Sequence, residues 1–157
     1  MSKNILTDLV IKPVDSSFAG ELSYLLLNSK KDYSKHFIPF PFDQKSIESV
    51  LCNAIKDKFY GVFVSGTLVG FYMLRGFDEG YSIPSYGVWI SEQFSNKGLS
   101  TLTLQHAISF CKINSIKKIM LKVHPDNLTA KHIYEKNGFI QTGTDPKNHH
   151  LIFHKDI

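Results

Sequence analysis

The segment from Val123 to Phe139, VHPDNLTAKHIYEKNGF, constrains the fold more than any other part of the chain. It reads as a strand end, a capped helix and a stop. Pro125 cannot continue a helix from upstream, Asp126 or Asn127 can cap one, and Gly138 can take the left-handed conformation that ends it. Asn127 and Tyr134 are separated by about two turns at 3.6 residues per turn, so Asn127, Ala130 and Tyr134 share one face. The two polar groups then stand roughly 10 Å apart along the axis, and a long, thin ligand can touch both.

A chain of 157 residues with 43% apolar and 20% charged content is expected to form one domain over 1–157, with a core that needs no disulfide or metal. No stretch is long and apolar enough to span a membrane, and residues 1–10 lack the pattern of a signal peptide, so a cytoplasmic location is expected. Cys52 and Cys111 have no CxxC spacing and each lies in an apolar helical pattern. Both are expected to be buried free thiols, with no metal site. The net charge of +4 and pI near 9.0 come from scattered lysines with only short runs, such as Lys30-Lys31 and Lys117-Lys118. That distribution favours a solvated surface over a nucleic-acid track, although a modest positive field helps to attract a phosphorylated ligand.

Along the chain, Asp8 to Val14 reads as a strand, and Ser16 or Ser17 can cap a helix carrying Leu22, Leu25 and Leu26. Tyr33 to Phe42 is an aromatic loop with Pro39 and Pro41. It is either a substrate wall or a loop pinned to the core by Phe37 and Phe40. A second helix is expected from Ser46 to Lys56. Tyr60 to Val64 and Leu68 to Leu74 form a hairpin about Ser65-Gly66-Thr67, Asp78-Glu79-Gly80 makes the next connection, and Ser85 to Ser91 is a third strand, with Gly87 as a bulge candidate. From Gly98 to Ile113, Leu104, Ala107, Ile108 and Cys111 mark the buried stripe of a helix. A strand through Ile119, Leu121 and Val123 follows. After the capped helix, 139–144 and 151–154 read as closing strands around Pro146, and the adjacent His149 and His150 read as surface.

Ser95-Asn96-Lys97-Gly98-Leu99-Ser100 lies between a strand and a helix, where backbone amides and the helix dipole favour an anion. This loop, the order of elements and the Asn127, Ala130, Tyr134, Gly138-Phe139 arrangement together resemble the GNAT superfamily of acetyl-CoA-dependent N-acetyltransferases over essentially the whole chain. The resemblance implies an α/β (α+β) fold with a mixed, mostly antiparallel sheet of six to seven strands flanked by about four helices. It also implies acetyl-CoA as co-substrate and no metal. In the family the loop runs Arg or Gln, two residues, Gly, one residue, then Gly or Ala, and holds the pyrophosphate. Here Gly98 fits, while Ser95 and Ser100 depart from the pattern and Lys97 returns some positive charge.

By the same resemblance, the pantetheine arm runs along Val88, Trp89 and Ile90, whose amides polarise the thioester carbonyl. The cofactor-binding set is then Val88, Trp89, Ile90, Ser95, Asn96, Lys97, Gly98, Leu99, Ser100, Asn127 and Tyr134. A phenol titrates near 10, so Tyr134 keeps its proton at neutral pH and can donate to the leaving thiolate. The base for the amine is open among Glu79, its neighbour Asp78, His124 and a water relay. Glu79 is taken first, since it lies in the connection before the strand and can reach over the amine.

Leu74 to Tyr81 with Pro84-Ser85 is similar to GNAT members encoded beside sugar-modifying enzymes, which points to an amino sugar or nucleotide-linked amino sugar as the small-molecule acceptor. The alternatives are a protein N-terminus or lysine, and a non-catalytic acyl-CoA-binding module that has lost transfer. Neither a nucleic-acid nor a membrane partner is expected. Many relatives form homodimers, and no residue pattern here demands one.

Overall fold

The computed structural model describes residues 6–31, 35, 37 and 39–157. Seven strands form one sheet: β1 Leu9–Pro13, β2 Lys58–Val64, β3 Thr67–Arg75, β4 Ser85–Ile90, β5 Lys118–Val123, β6 Ile140–Thr144 and β7 Leu151–Asp156, in the spatial order β1-β2-β3-β4-β5-β7-β6. The helices are α1 Ala19–Leu27, α2 Gln44–Asn53, α3 Leu99–Ile113 and α4 Leu128–Lys136, with short 3-10 turns at Ser16–Phe18 and Glu92–Phe94. This is the mixed, mostly antiparallel arrangement that the sequence implies.

β3 is buried from Leu68 to Leu74, as a central strand covered on both faces must be. One face packs Phe59, Phe71, Met73 and Trp89 against Ala19, Leu22, Leu26, Ile47 and Leu51 of α1 and α2. The other packs Tyr72, Leu74, Tyr86, Ile119, Leu121 and Phe153 against Leu104, Ala107, Ile108 and Cys111 of α3, with Ala130, Ile133 and Tyr134 of α4 beside them. Ser65 and Gly66 both have positive φ, the geometry that lets a two-residue turn follow the twist of β2 and β3.

Among the described residues the only parallel neighbours are β4 and β5, and they pair at two positions alone, Ser85 with Met120 and Tyr86 with Leu121. Beyond Tyr86 the strands part, while β5 stays paired with β7 through Val123. A sheet opened in this way turns backbone groups of its own middle toward the gap, where their partners come from outside the sheet.

Several expectations are corrected. Gly87 is no bulge: β3 and β4 pair without a shift from Gly70–Ile90 to Arg75–Ser85, and the irregularity lies at Val62/Phe63 in the β2–β3 ladder. Gly87 answers a packing demand, because a Cβ there would stand 2.7 Å from Met73 Cε. Cys111 is buried but Cys52 is exposed. On α2 the buried pair is Ile47 and Leu51, and Cys52 is one residue, about 100°, further round the helix. Asp15, rather than Ser16 or Ser17, caps the first turn by accepting from Ser17 N–H, and α2 spans Gln44–Asn53, capped by Asp43.

Candidate active site

Where β4 and β5 part, a cleft of about 680 Å³ opens. Its walls are the end of β4, the loop and first turn of α3, the end of β5, and the Asn127, Ala130 and Tyr134 face of α4. Phe37 also lines it, and its ring packs edge-on to Phe71, 5.7 Å between centroids, on the α1 and α2 side of the sheet. The cleft therefore runs through the sheet, with α3 and α4 at one mouth and the aromatic loop at the other. Phe37 thus both lines the cleft and is pinned to the core, while residues 33, 34, 36 and 38 of the loop lie outside the described residues.

Backbone direction along β4 follows from its register. Ser91 N–H donates to Val69 O, so the odd-numbered groups of this strand face β3, and those of Val88 and Ile90 are turned toward the cleft. Trp89 belongs to the other set, and its ring packs in the cluster with Phe71.

The loop before α3 is shaped by two left-handed residues, Asn96 with φ 58° and Gly98 with φ 82°. Gly98 is the N-cap of α3, and among the described residues no atom beyond its chain neighbours lies within 4 Å of where its Cβ would be. Gly98 lines the cleft at the positive end of a 15-residue helix, where an anion is favoured. Ser95, Asn96, Leu99 and Ser100 line it as well, whereas Lys97 is exposed and outside the lining. The Ser95 hydroxyl donates to Glu92 O at 2.6 Å, so it serves its own turn.

On α4, Asn127 Oδ1 accepts from Ala130 N–H at 3.2 Å and fixes the helix start, and Gly138 ends it at φ 89°. Tyr134 is half-buried, with its ring edge-on to Tyr86 at 6.4 Å and 5.8 Å from Phe139. Burial pushes its phenol above the ordinary range, so it is a proton donor at neutral pH.

The candidate bases are not gathered here. Glu79 is exposed in the β3–β4 connection, outside the cleft lining. Asp78 accepts backbone N–H bonds from Ile55, Lys56 and Asp57, and these bonds hold its carboxyl below the usual range. His124 does line the cleft, and its Nδ1 accepts from Asp126 N–H at 3.1 Å and lies 3.8 Å from the Asp126 carboxylate. His149 is exposed, while His150 is half-buried with its ring 5.4 Å from that of His124.

Two features were not read from the sequence. Lys122 lines the cleft and its Nζ meets the buried Asp145 at 2.8 Å; that bond, with the Lys147 N–H, holds the Asp145 carboxyl below the usual range. Tyr86 reaches across to Thr103 of α3. Both pairs join residues distant in sequence, and only the alternation of Tyr86 along β4 hinted at its inward position.

Parting parallel strands, a helix start open to an anion and a half-buried tyrosine at the gap meet in one cleft. Residues 27–139 match the model of the acetyltransferase (GNAT) family, and the chain belongs to that family. It is an acetyl-CoA-dependent acyltransferase. The chain is similar in fold to the PaiA N-acetyltransferase from Thermoplasma acidophilum in complex with coenzyme A, at 19% identity and TM-score 0.80, over 96% of this chain and 99% of that one. It is also similar to the Salmonella typhimurium acetyl transferase that modifies the N-terminal serine of ribosomal protein L7/L12, at 18% identity and TM-score 0.79, over 95% of each chain. A third is a GNAT-family acetyltransferase from Staphylococcus aureus, at 19% identity and TM-score 0.76, over 95% of this chain and 99% of that one. No curated protein sequence matches the chain.

Proposed function

We propose that the protein moves the acetyl group of acetyl-CoA to a primary amine by direct attack, with the amine entering from the aromatic-loop mouth. The observation that carries this reading is Tyr134, a proton-bearing phenol held at the gap between β4 and β5. The first turn of α3 holds the pyrophosphate by backbone amides, and the cleft-facing groups of Val88 and Ile90 orient the thioester arm and polarise its carbonyl. Tyr134 gives its proton to the departing sulfur. Asn127 sets the start of the helix that aims it.

Water carries the proton away from the amine in this reading, since Glu79 and Asp78 lie outside the cleft lining and His124 Nδ1 is engaged by Asp126. Glu79→Gln is expected to leave turnover within about twofold of wild type; a loss of about 100-fold, the lower end of what a general base supplies, would make Glu79 the base after all.

The acceptor class tested first is an amino sugar or nucleotide-linked amino sugar, on the likeness of Leu74 to Tyr81 with Pro84-Ser85 to GNAT members encoded beside sugar-modifying enzymes. A protein N-terminus is the second reading, motivated by the similarity to an enzyme of ribosomal protein L7/L12. We take the cytoplasm as the compartment, because acetyl-CoA is supplied there; among the described residues no helix is long and apolar enough to cross a membrane. The experiment is thiol release from acetyl-CoA against a panel of amino sugars, nucleotide-linked amino sugars and short peptides with free N-termini. Release with sugars alone supports the first reading, and release with peptides alone replaces it with the second.

A further inference from the structure

The co-substrate site has two ends built on different elements. The thioester end lies where β4 leaves β5, and the pyrophosphate end lies at the first turn of α3. Neither is flanked by its own kind on every side, although β4 keeps its ladder with β3 through Ile90. β4 beyond Tyr86 has lost its neighbour on the β5 side, and the first turn of a helix lacks the upstream carbonyls that would hold its amides. One hydrogen bond spans the two. Tyr86, the last residue of β4 paired with β5, places its hydroxyl 3.0 Å from Thr103 Oγ1. Both side chains are buried, Thr103 completely.

The direction of this bond can be assigned. Thr103 Oγ1 stands 3.0 Å from Leu99 O and 3.0 Å from Ser100 O, two carbonyls of the first turn of α3. Its single hydrogen is shared between them, so the oxygen accepts and the Tyr86 O–H donates. A continuous path then runs from the strand at the gap, through Tyr86 and Thr103, to the carbonyls of the turn whose amides face the pyrophosphate end. The Tyr86 ring also meets Tyr134 edge-on at 6.4 Å, which sets the phenol on the same support.

We infer that Tyr86 and Thr103 are positioning residues that fix the span between the thioester end and the pyrophosphate end of the site. This rests on the acetyl-CoA reading of the cleft. The tie matters only to a ligand long enough to engage both ends, because such a ligand gains from having its second contact held at the right separation from the first. A ligand that engages one end gains nothing from it.

Calorimetric titration with three probes tests this: acetyl-CoA, S-acetylpantetheine for one end, and adenosine 3′-phosphate 5′-diphosphate for the other, the two fragments being measured by competition. Tyr86→Phe and Thr103→Val are each expected to weaken acetyl-CoA by about fivefold or more, the worth of one neutral hydrogen bond, and the double variant by no more than the larger single loss because both cut the same tie. Both fragments should bind each variant within about twofold of wild type. Thr103→Ser keeps the hydroxyl and should restore acetyl-CoA affinity; it also serves should Thr103→Val fail to fold. Unchanged acetyl-CoA affinity, losses that add in the double variant, or fragments weakened as much as the whole would overturn the tie while leaving the site reading intact. A wild-type protein that binds neither acetyl-CoA nor the nucleotide fragment would overturn the site reading itself, and the tie with it.

Discussion

The Ser95 to Ser100 loop and the α4 helix face the same cleft but are built by opposite means. The loop acts through its backbone: Asn96 and Gly98 bend it with positive φ, the helix start supplies the amides, and the one long cationic side chain, Lys97, stands outside the lining. The helix presents side chains: its backbone groups are taken up by its own hydrogen bonds, and Tyr134 and Asn127 line the cleft. A backbone-built wall tolerates changes of side chain that leave φ and ψ alone, whereas a side-chain-built wall does not. That contrast accounts for a loop that departs from the family pattern at Ser95 and Ser100 beside a helix that keeps it.

The largest effect should come from the helix. Tyr134→Phe removes one oxygen from a ring held by Tyr86 and Phe139, and the ring remains. Turnover is expected to fall by about 100-fold or more, the usual contribution of a general acid, while acetyl-CoA affinity stays within about twofold. Steady-state kinetics beside calorimetry separates the two. Full turnover in the variant would remove the helix from the chemistry and erase the contrast.

The next effect belongs to the loop, and it should depend on conformation rather than bulk. The space about a Gly98 Cβ is open in the protein, but φ 82° is strained for any β-carbon and most of all for a branched one. Gly98→Val is expected to weaken acetyl-CoA about tenfold, from roughly 1–2 kcal/mol of left-handed strain, and Gly98→Asn much less, because Asn tolerates that region. Equal losses for both would mean that the added side chain obstructs the cleft and that φ is not the cause.

The helix also carries a stability term. Asn127→Ala removes the acceptor of the Ala130 N–H and should cost about 1 kcal/mol. That lowers the melting midpoint by about 2–4 °C, read by calorimetric or circular-dichroism melting. An unmoved midpoint would show that solvent caps α4 as well as Asn127 does.

What could be read from the sequence divides along the same line. The helix from Asn127 to Gly138 was legible because capping, period and termination are local signals, and the Ser65-Gly66 turn for the same reason. Gly87 was misjudged because a glycine inside a strand fits either a bulge or a close neighbour, and only the position of Met73 decides. Cys52 was misjudged because an apolar pattern on a helix does not state which flank faces solvent. The pairs Lys122–Asp145 and Tyr86–Thr103 join distant segments, and no local pattern announces a partner 23 or 17 residues away.

The smallest effect is the most discriminating. Where the family pattern has a long donor, Ser95 spends its hydroxyl on Glu92 O, so it gives the cleft a backbone and no side-chain donor. Ser95→Ala is therefore expected to change acetyl-CoA affinity by less than about twofold, with at most a small loss of stability from one exposed turn bond. A loss of about tenfold would mean that the hydroxyl turns from Glu92 to the pyrophosphate on binding, and that the loop, like the helix, works through its side chains. Ser95→Arg then separates the alternatives further. If the backbone already cradles the anion, an added guanidinium contributes a mainly salt-screened gain at an exposed site. Should the gain persist at high salt, the family's long donor makes a contact that this chain has relinquished, and the backbone alone does not fill that role.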